Sequence, residues 1–238
     1  MKTFSLYTHY KKILADTITP VSIYLKIRDK FPNSILLESS DYHANDNSFS
    51  YICCNPIASI KVEGDTIHQT YPDGSSKTNF IETVGVVEEI HKFTQRFKVE
   101  THEEFKFINN GIFGYTSYDA VKYFEDIEIS KKEKSVNIPD VYYAVYQNII
   151  AINHFKNEAY IFAHCFDTDN NIDDILQLIQ TRQYASYDFN TNGDIDSNLT
   201  DEEYKEHVEL AKKHCGRGDV FQLVLSKQFS QGFSGDEF

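Results

Sequence analysis

Gly218-Asp219-Val220-Phe221-Gln222-Leu223-Val224-Leu225-Ser226-Lys227-Gln228-Phe229-Ser230 decides how the rest of this chain is read, and it lies just before the last residue, Phe238. A glycine-punctuated turn leads into an apolar run that predicts a strand. Side chains alternate along a strand, so Phe221, Leu223 and Leu225 share one face and Val220, Gln222, Val224 and Ser226 the other. A strand needs partners and a covered face, and little sequence follows to supply them. The expectation is a leading segment of a longer protein, ending as a second core begins. Gln222 stands alone among apolar neighbours. A buried amide without a hydrogen bond costs about 1–3 kcal/mol, so Gln222 either faces water at a sheet edge or orients a ligand or a water molecule.

Upstream, Thr200-Asp201-Glu202-Glu203 is a capping box, with Thr at the cap and Glu three positions on. Tyr204, Val208 and Ala211 fall on one helical face, Cys215 continues it, and Gly216 and Gly218 end the helix. Tyr184 to Ser197 holds Asn190, Thr191, Asn192 and Gly193 and reads as connecting chain. The organisation expected is a first domain over residues 1–190, a linker over 191–198, and the start of a second domain over 199–238.

Within the first domain Thr19 caps a helix whose first position is Pro20, where the missing N–H is harmless. Ser34 to Ser39 reads as a buried strand. Phe49–Cys54, Ser59–Glu63 and Thr66–Tyr71 read as short strands, with turn chemistry at Glu63-Gly64-Asp65 and Pro72-Asp73-Gly74. Val84–Gln95 is a helix with Val84, Val87, Ile90 or His91, and Phe93 or Thr94 on one side. Gly111–Tyr115 is a strand and Ser117–Glu125 a short helix, with Tyr115, Tyr118 and Tyr123 forming a packed seam and Asp119 bonding backbone nearby. Asp126–Lys134 is a charged loop. Asp140–His154 and Ala159–Phe166 form a long hairpin, and Ile172–Arg182 an amphipathic helix. The class is α+β: two stacked, mostly antiparallel sheets with helices outside.

The 238 residues carry 23 Lys plus Arg against 36 Asp plus Glu, a net charge of −13. That argues against nucleic acid and anionic membrane as partners, because both demand a basic surface. Met1 to Lys12 lacks the apolar run of a signal peptide and no stretch approaches a membrane span. The four cysteines, Cys53, Cys54, Cys165 and Cys215, have no metal or redox spacing. Cys53 and Cys54 point to opposite faces of a strand as small core residues. A reduced, cytoplasmic protein follows. The nine histidines are scattered and fit no ligand pattern.

Five stretches, in order along the chain, resemble anthranilate synthase component I. They are Leu36-Leu37-Glu38-Ser39; Gly111-Ile112-Phe113-Gly114-Tyr115-Thr116-Ser117-Tyr118-Asp119-Ala120-Val121-Lys122-Tyr123-Phe124-Glu125; Ile138-Pro139-Asp140 before a long apolar strand; Asn198-Leu199-Thr200-Asp201-Glu202-Glu203-Tyr204; and Gly218 to Ser230. The resemblance implies an enzyme that turns chorismate and ammonia into anthranilate and pyruvate. It implies Mg²⁺ as cofactor, a glutamine amidotransferase subunit as ammonia source, and tryptophan as feedback inhibitor. It places the Mg²⁺ ligands and the catalytic histidine beyond Phe238, so no catalytic or metal-binding residue is assigned here and the segment alone is expected to be inactive. The absence of tryptophan among 238 residues suits an enzyme early in tryptophan synthesis.

By the same resemblance, Pro20, Glu38 and Ser39 line the regulatory tryptophan pocket. Glu38 would accept from the ligand ammonium and Ser39 would hydrogen-bond the ligand. Where the family carries a basic residue in an Arg-Tyr-Ser-Phe-like run, this chain reads Ser48-Phe49-Ser50-Tyr51. Gln222 would lie near the substrate, where water-adding relatives carry a lysine. A glutamine cannot serve as a base near neutral pH, so it fits ammonia as nucleophile. The rival readings are the large subunit of aminodeoxychorismate synthase and a non-catalytic amino-acid-binding module.

Overall fold

The computed structural model describes residues 2–38, 48–100, 104–127, 129, 138–181 and 185–238. They form two compact units, Met1–Tyr184 and Ala185–Phe238.

The first unit is built on two long strands, β3 (Phe49–Glu63) and β8 (Val141–Asn153), paired antiparallel from Phe49 opposite Asn153 to Val62 opposite Val141. They anchor a nine-stranded sheet. At one end of β3 sits β2 (Ile35–Leu37), at the other β4 (Thr66–Thr70) followed by β5 (Ser76–Phe80). On β8 the start pairs with β7 (Phe113–Thr116) and the end with β9 (Glu158–Cys165). Beyond β9 lies β1 (Phe4–Leu14), whose first residues pair in parallel with β6 (Phe97–Val99). The expected α+β class holds, with antiparallel pairing throughout except that one parallel contact.

The two strands expected over Phe49–Cys54 and Ser59–Glu63 are one. Asn55 adopts a positive φ of 59° and the register shifts between Pro56 and Ala58. An irregularity is what lets a strand continue through a proline that cannot donate. The side chain of Asn55 donates to Gln147 Oε1 of β8 (2.5 Å), so the joint is polar and satisfied. Apolar residues on either side serve different cores. Ile52 and Cys54 pack with Ile150, Ile152 and Ile161 beneath α1 (Pro20–Ile27) and α3 (Ile172–Gln180). Ala58, Ile60 and Val62 pack with Phe4, Leu6 and Val145 against α2 (Val86–Thr94). Cys53 turns the other way, into a third cluster with Phe113, Tyr146 and Phe162. The two adjacent cysteines do face opposite sides.

The helices follow their caps. The Thr19 side chain accepts from Ser22 N (3.1 Å) with Pro20 at the first position of α1. Lys26 of α1 donates to Ile179 O near the end of α3 (2.7 Å). Helix α2 buries Val86, Glu89 and Phe93; of the expected face Val84, Ile90 and Phe93 pack on the core, whereas Val87 is 50% exposed. It begins after Gly85, and this start turns Glu89 inward. Glu89 Oε2 accepts from Gln69 (3.1 Å), Asn79 (3.0 Å) and Lys77 (3.2 Å) on β4 and β5. Burial alone would raise its pKa; the hydrogen bonds and charges of Lys77, Lys92 and Gln69 outweigh that and hold it below the ordinary carboxylate value. The short helix expected over Ser117–Glu125 is a 3₁₀ helix, Tyr118–Tyr123. It is fixed by buried Asp140, which accepts from Lys122 Nζ and Tyr123 Oη (2.8 Å each). Tyr118 does not join an aromatic seam: it is 89% exposed, because that seam position faces away from the sheet. The charged stretch Asp126–Lys134 lies mostly outside the described residues.

The second unit holds α4 (Asp201–Arg217) and a two-stranded sheet of β10 (Phe189–Ser197) and β11 (Phe229–Gly235). Residues 191–198, expected as a linker, are mostly strand β10. Their polar composition hides a pairing with residues distant in sequence, and Gly193, at φ 74°, lies where the register breaks between Asn192 and Asp196. The capping box is complete: Glu203 N donates to Thr200 Oγ1 (3.2 Å) and Thr200 N to Glu203 Oε2 (2.8 Å). Gly218 ends α4 in the left-handed region. No helix among the described residues is long and apolar enough to cross a membrane.

Candidate functional site

The residues singled out for function fall in two places. The first is the junction of α1 and β2. Pro20 is buried at the start of α1, while Ile23 and Ile27 one and two turns on enter the same cluster that Leu36 of β2 packs against. The helix and the strand are thus held side by side by apolar contacts. Glu38 follows β2 directly and is exposed, a carboxylate free to meet an ammonium group from solvent. Ser39 lies outside the described residues. Across β2, Leu37 stands opposite Tyr51 of β3, within the run where the family's basic residue is replaced.

The second place is the segment after α4, and here the structure corrects the sequence reading. Val220 to Gln228 forms no strand; the strand begins at Phe229. Gln222 is exposed, as are its neighbours Phe221 and Val224, so it is not a buried amide on a strand face. The reason is the absence of a pairing partner: β10 meets the chain only from Phe229, opposite Ser197, and alternation alone cannot hold a strand. The segment is tied at its two ends. Arg217 donates to Asp219 Oδ2 through Nη2 (2.5 Å) and Nε (3.0 Å), and Lys227 pairs with Asp201 at the start of α4 (2.6 Å). Gln222 can donate and accept hydrogen bonds but cannot titrate.

The described residues hold no group of three or more His, Cys, Asp or Glu side chains arranged for a metal. The Mg²⁺ implied by the resemblance thus finds no ligand set among them. Sequence reasoning also passed over several buried polar groups. His164 is enclosed, with Nδ1 3.0 Å from Thr8 Oγ1 and Nε2 2.8 Å from Asn109 O. Asn148 and Asn171 exchange reciprocal amide bonds (2.7 and 3.0 Å). These brace elements, and only their positions within apolar strand patterns could have signalled them.

A mixed sheet carrying these glycine, tyrosine and Pro-Asp signatures defines a class, and the class is recognisable by comparison. The chain belongs to the chorismate-binding enzyme family, whose pattern matches residues 33–238. Among curated relatives it is 27% identical to anthranilate synthase component 1 of Aquifex aeolicus, over 99% of this chain and 50% of that protein. It is 24% identical to aminodeoxychorismate synthase component 1 of Bacillus subtilis, over 88% of this chain and 44% of that one. Its fold matches the crystal structure of anthranilate synthase component I from Streptococcus pneumoniae with a TM-score of 0.60 at 21% identity, covering 95% of this chain and 50% of the other. The chain spans about half the length of the curated relatives it matches.

Proposed function

We propose that this chain is part of an anthranilate synthase component I, which converts chorismate and ammonia to anthranilate and pyruvate. The observation that carries this reading is the similarity to the Aquifex aeolicus protein across 99% of the chain. Gln222 supports it from the chemical side, since an amide in place of a basic side chain leaves ammonia, not activated water, as nucleophile. Ammonia would come from a glutamine amidotransferase partner. Mg²⁺ would be held by residues outside these 238, where it would neutralise the substrate carboxylate. Pro20, Glu38 and Ser39 would form one wall of a tryptophan pocket, with Glu38 accepting from the amino group.

Assayed with chorismate, ammonium and Mg²⁺, the isolated chain should release no anthranilate; turnover by it alone overturns the assignment. The similarity to the Bacillus subtilis protein favours the second reading, a role in aminodeoxychorismate formation. Chromatography of the products made by an extended chain carrying the remaining half of the relatives' length separates the two. Anthranilate supports the first reading and aminodeoxychorismate the second.

A further inference from the structure

On one face of the first unit, the ends of β1, β8 and β9 and the segment 104–107 enclose an open cleft of about 450 Å³. This lies within the ~300–1,000 Å³ typical of small-molecule sites. Its walls are aromatic and mutually braced. Phe49 and Phe107 stack at 4.7 Å between centroids. Phe107 also meets Tyr160 at 5.0 Å and Phe105 at 5.4 Å, and Tyr10 stands edge-on to Phe105 at 4.8 Å. Rings held in this way keep their places without a ligand, so the cleft is preformed.

Three ammonium groups line the same space: Lys12, Lys106 and Lys156. Lys12 is already neutralised by Glu158 (2.5 Å) and lies 5.6 Å over the Tyr160 ring. Glu104, also on the rim, is bonded to the Tyr10 hydroxyl. Among the described residues Lys106 forms no ion pair, whereas the Lys156 charge acts on Glu158, the carboxylate already paired with Lys12. Lys156 is nonetheless fixed at its backbone, where its N–H donates to the buried Asn153 Oδ1 (2.9 Å). Three ammonium groups against the carboxylates of Glu104 and Glu158 leave one positive charge in excess beside a wall of stacked rings, in a chain whose net charge is −13.

We propose that this cleft binds an aromatic carboxylate, its ring against Phe107 and Tyr160 and its carboxylate between Lys106 and Lys156. None of these residues belongs to the proposed tryptophan wall or to the Gln222 segment, so the two readings stand or fall separately. The test is titration calorimetry of the 238-residue chain with 2-naphthoate at low salt. The expected result is saturable one-to-one binding, weakened about tenfold in a Lys106→Ala/Lys156→Ala variant. The neutral 2-naphthylmethanol should bind weaker by a similar factor, and saturating tryptophan should not displace the probe. Both lysines are exposed, so circular dichroism should show the variant folded like the parent. Absence of saturable binding at millimolar probe overturns the proposal. So does equal affinity for the lysine variant or the neutral probe, or displacement by tryptophan.

Discussion

Glu89 is a charged side chain in a place where apolar ones belong, with 2% of its surface exposed. It is tolerated because three donors from β4 and β5 converge on one oxygen, and Gln69 is itself oriented by the Tyr71 hydroxyl (2.5 Å). Removing the carboxylate strands those donors, so Glu89→Ala should destabilise the chain by about 2 kcal/mol in urea unfolding. The pH dependence has a definite sign. The folded pKa lies below that of the unfolded chain, so the stabilisation is complete above about pH 4.3 and is lost as pH falls through the lower folded value. Urea midpoints at pH 6 and pH 3.5 should diverge less in Glu89→Gln than in the parent. The cysteines give a second residue-scale expectation. Cys53, Cys54 and Cys165 are buried and Cys215 is exposed; burial pushes the Cys54 thiol up to about 12 and Cys53 higher still. A thiolate is the reactive form, so a chromogenic disulfide reagent should titrate one thiol in the native chain and four after unfolding.

At the scale of elements, β7 shows what its glycine motif is for. A Cβ placed on Gly114 would lie 2.0 Å from the Tyr142 carbonyl oxygen, inside the ladder that joins β7 to β8. Gly114→Ala should therefore push the strands apart and cost about 1–3 kcal/mol, seen as a lower melting temperature with β7 amides losing exchange protection first. The same scale shows which parts of the fold could be read beforehand. The Thr19-Pro20 start and the Thr200–Glu203 box are local devices, complete within a few residues, and both stand where the sequence placed them. Strands β1, β5 and β6 went unread because what makes them strands is a partner far away in the chain. Segment 220–228 failed in the opposite sense: its alternation is strand-like, but no neighbour arrives to pair with it. The candidate site rests on resemblance alone. Glu38 and Pro20 lie on neighbouring elements, yet nothing in their local sequence marks them as a pocket. At Gln222 periodicity leaves a water-facing amide and a ligand-orienting one both open, and the missing strand partner leaves it exposed.

At the scale of the whole molecule, the two units differ in what protects them. In the first, β3, β8 and β9 are enclosed by three apolar clusters. In the second, α4 buries no residue and β11 is exposed along its length. Native-state hydrogen exchange follows buried contacts, so amides of α4 and β11 should exchange orders of magnitude faster than those of β8. Equal protection would show that the second unit has a cover of its own. The branched sheet carries a further consequence, for behaviour at high concentration. An open strand edge invites another copy to add to it, the first step toward insoluble assemblies. Here the outer strands β2, β6, β7 and β5 are only three to five residues long, too brief to template a neighbour. Among the described residues of this sheet the long margin, along Tyr7–Leu14 of β1, carries Lys11 and Lys12 in succession. By branching from two shared central strands, the sheet ends in many short or charged margins instead of one long apolar one, and so resists growing into its neighbours.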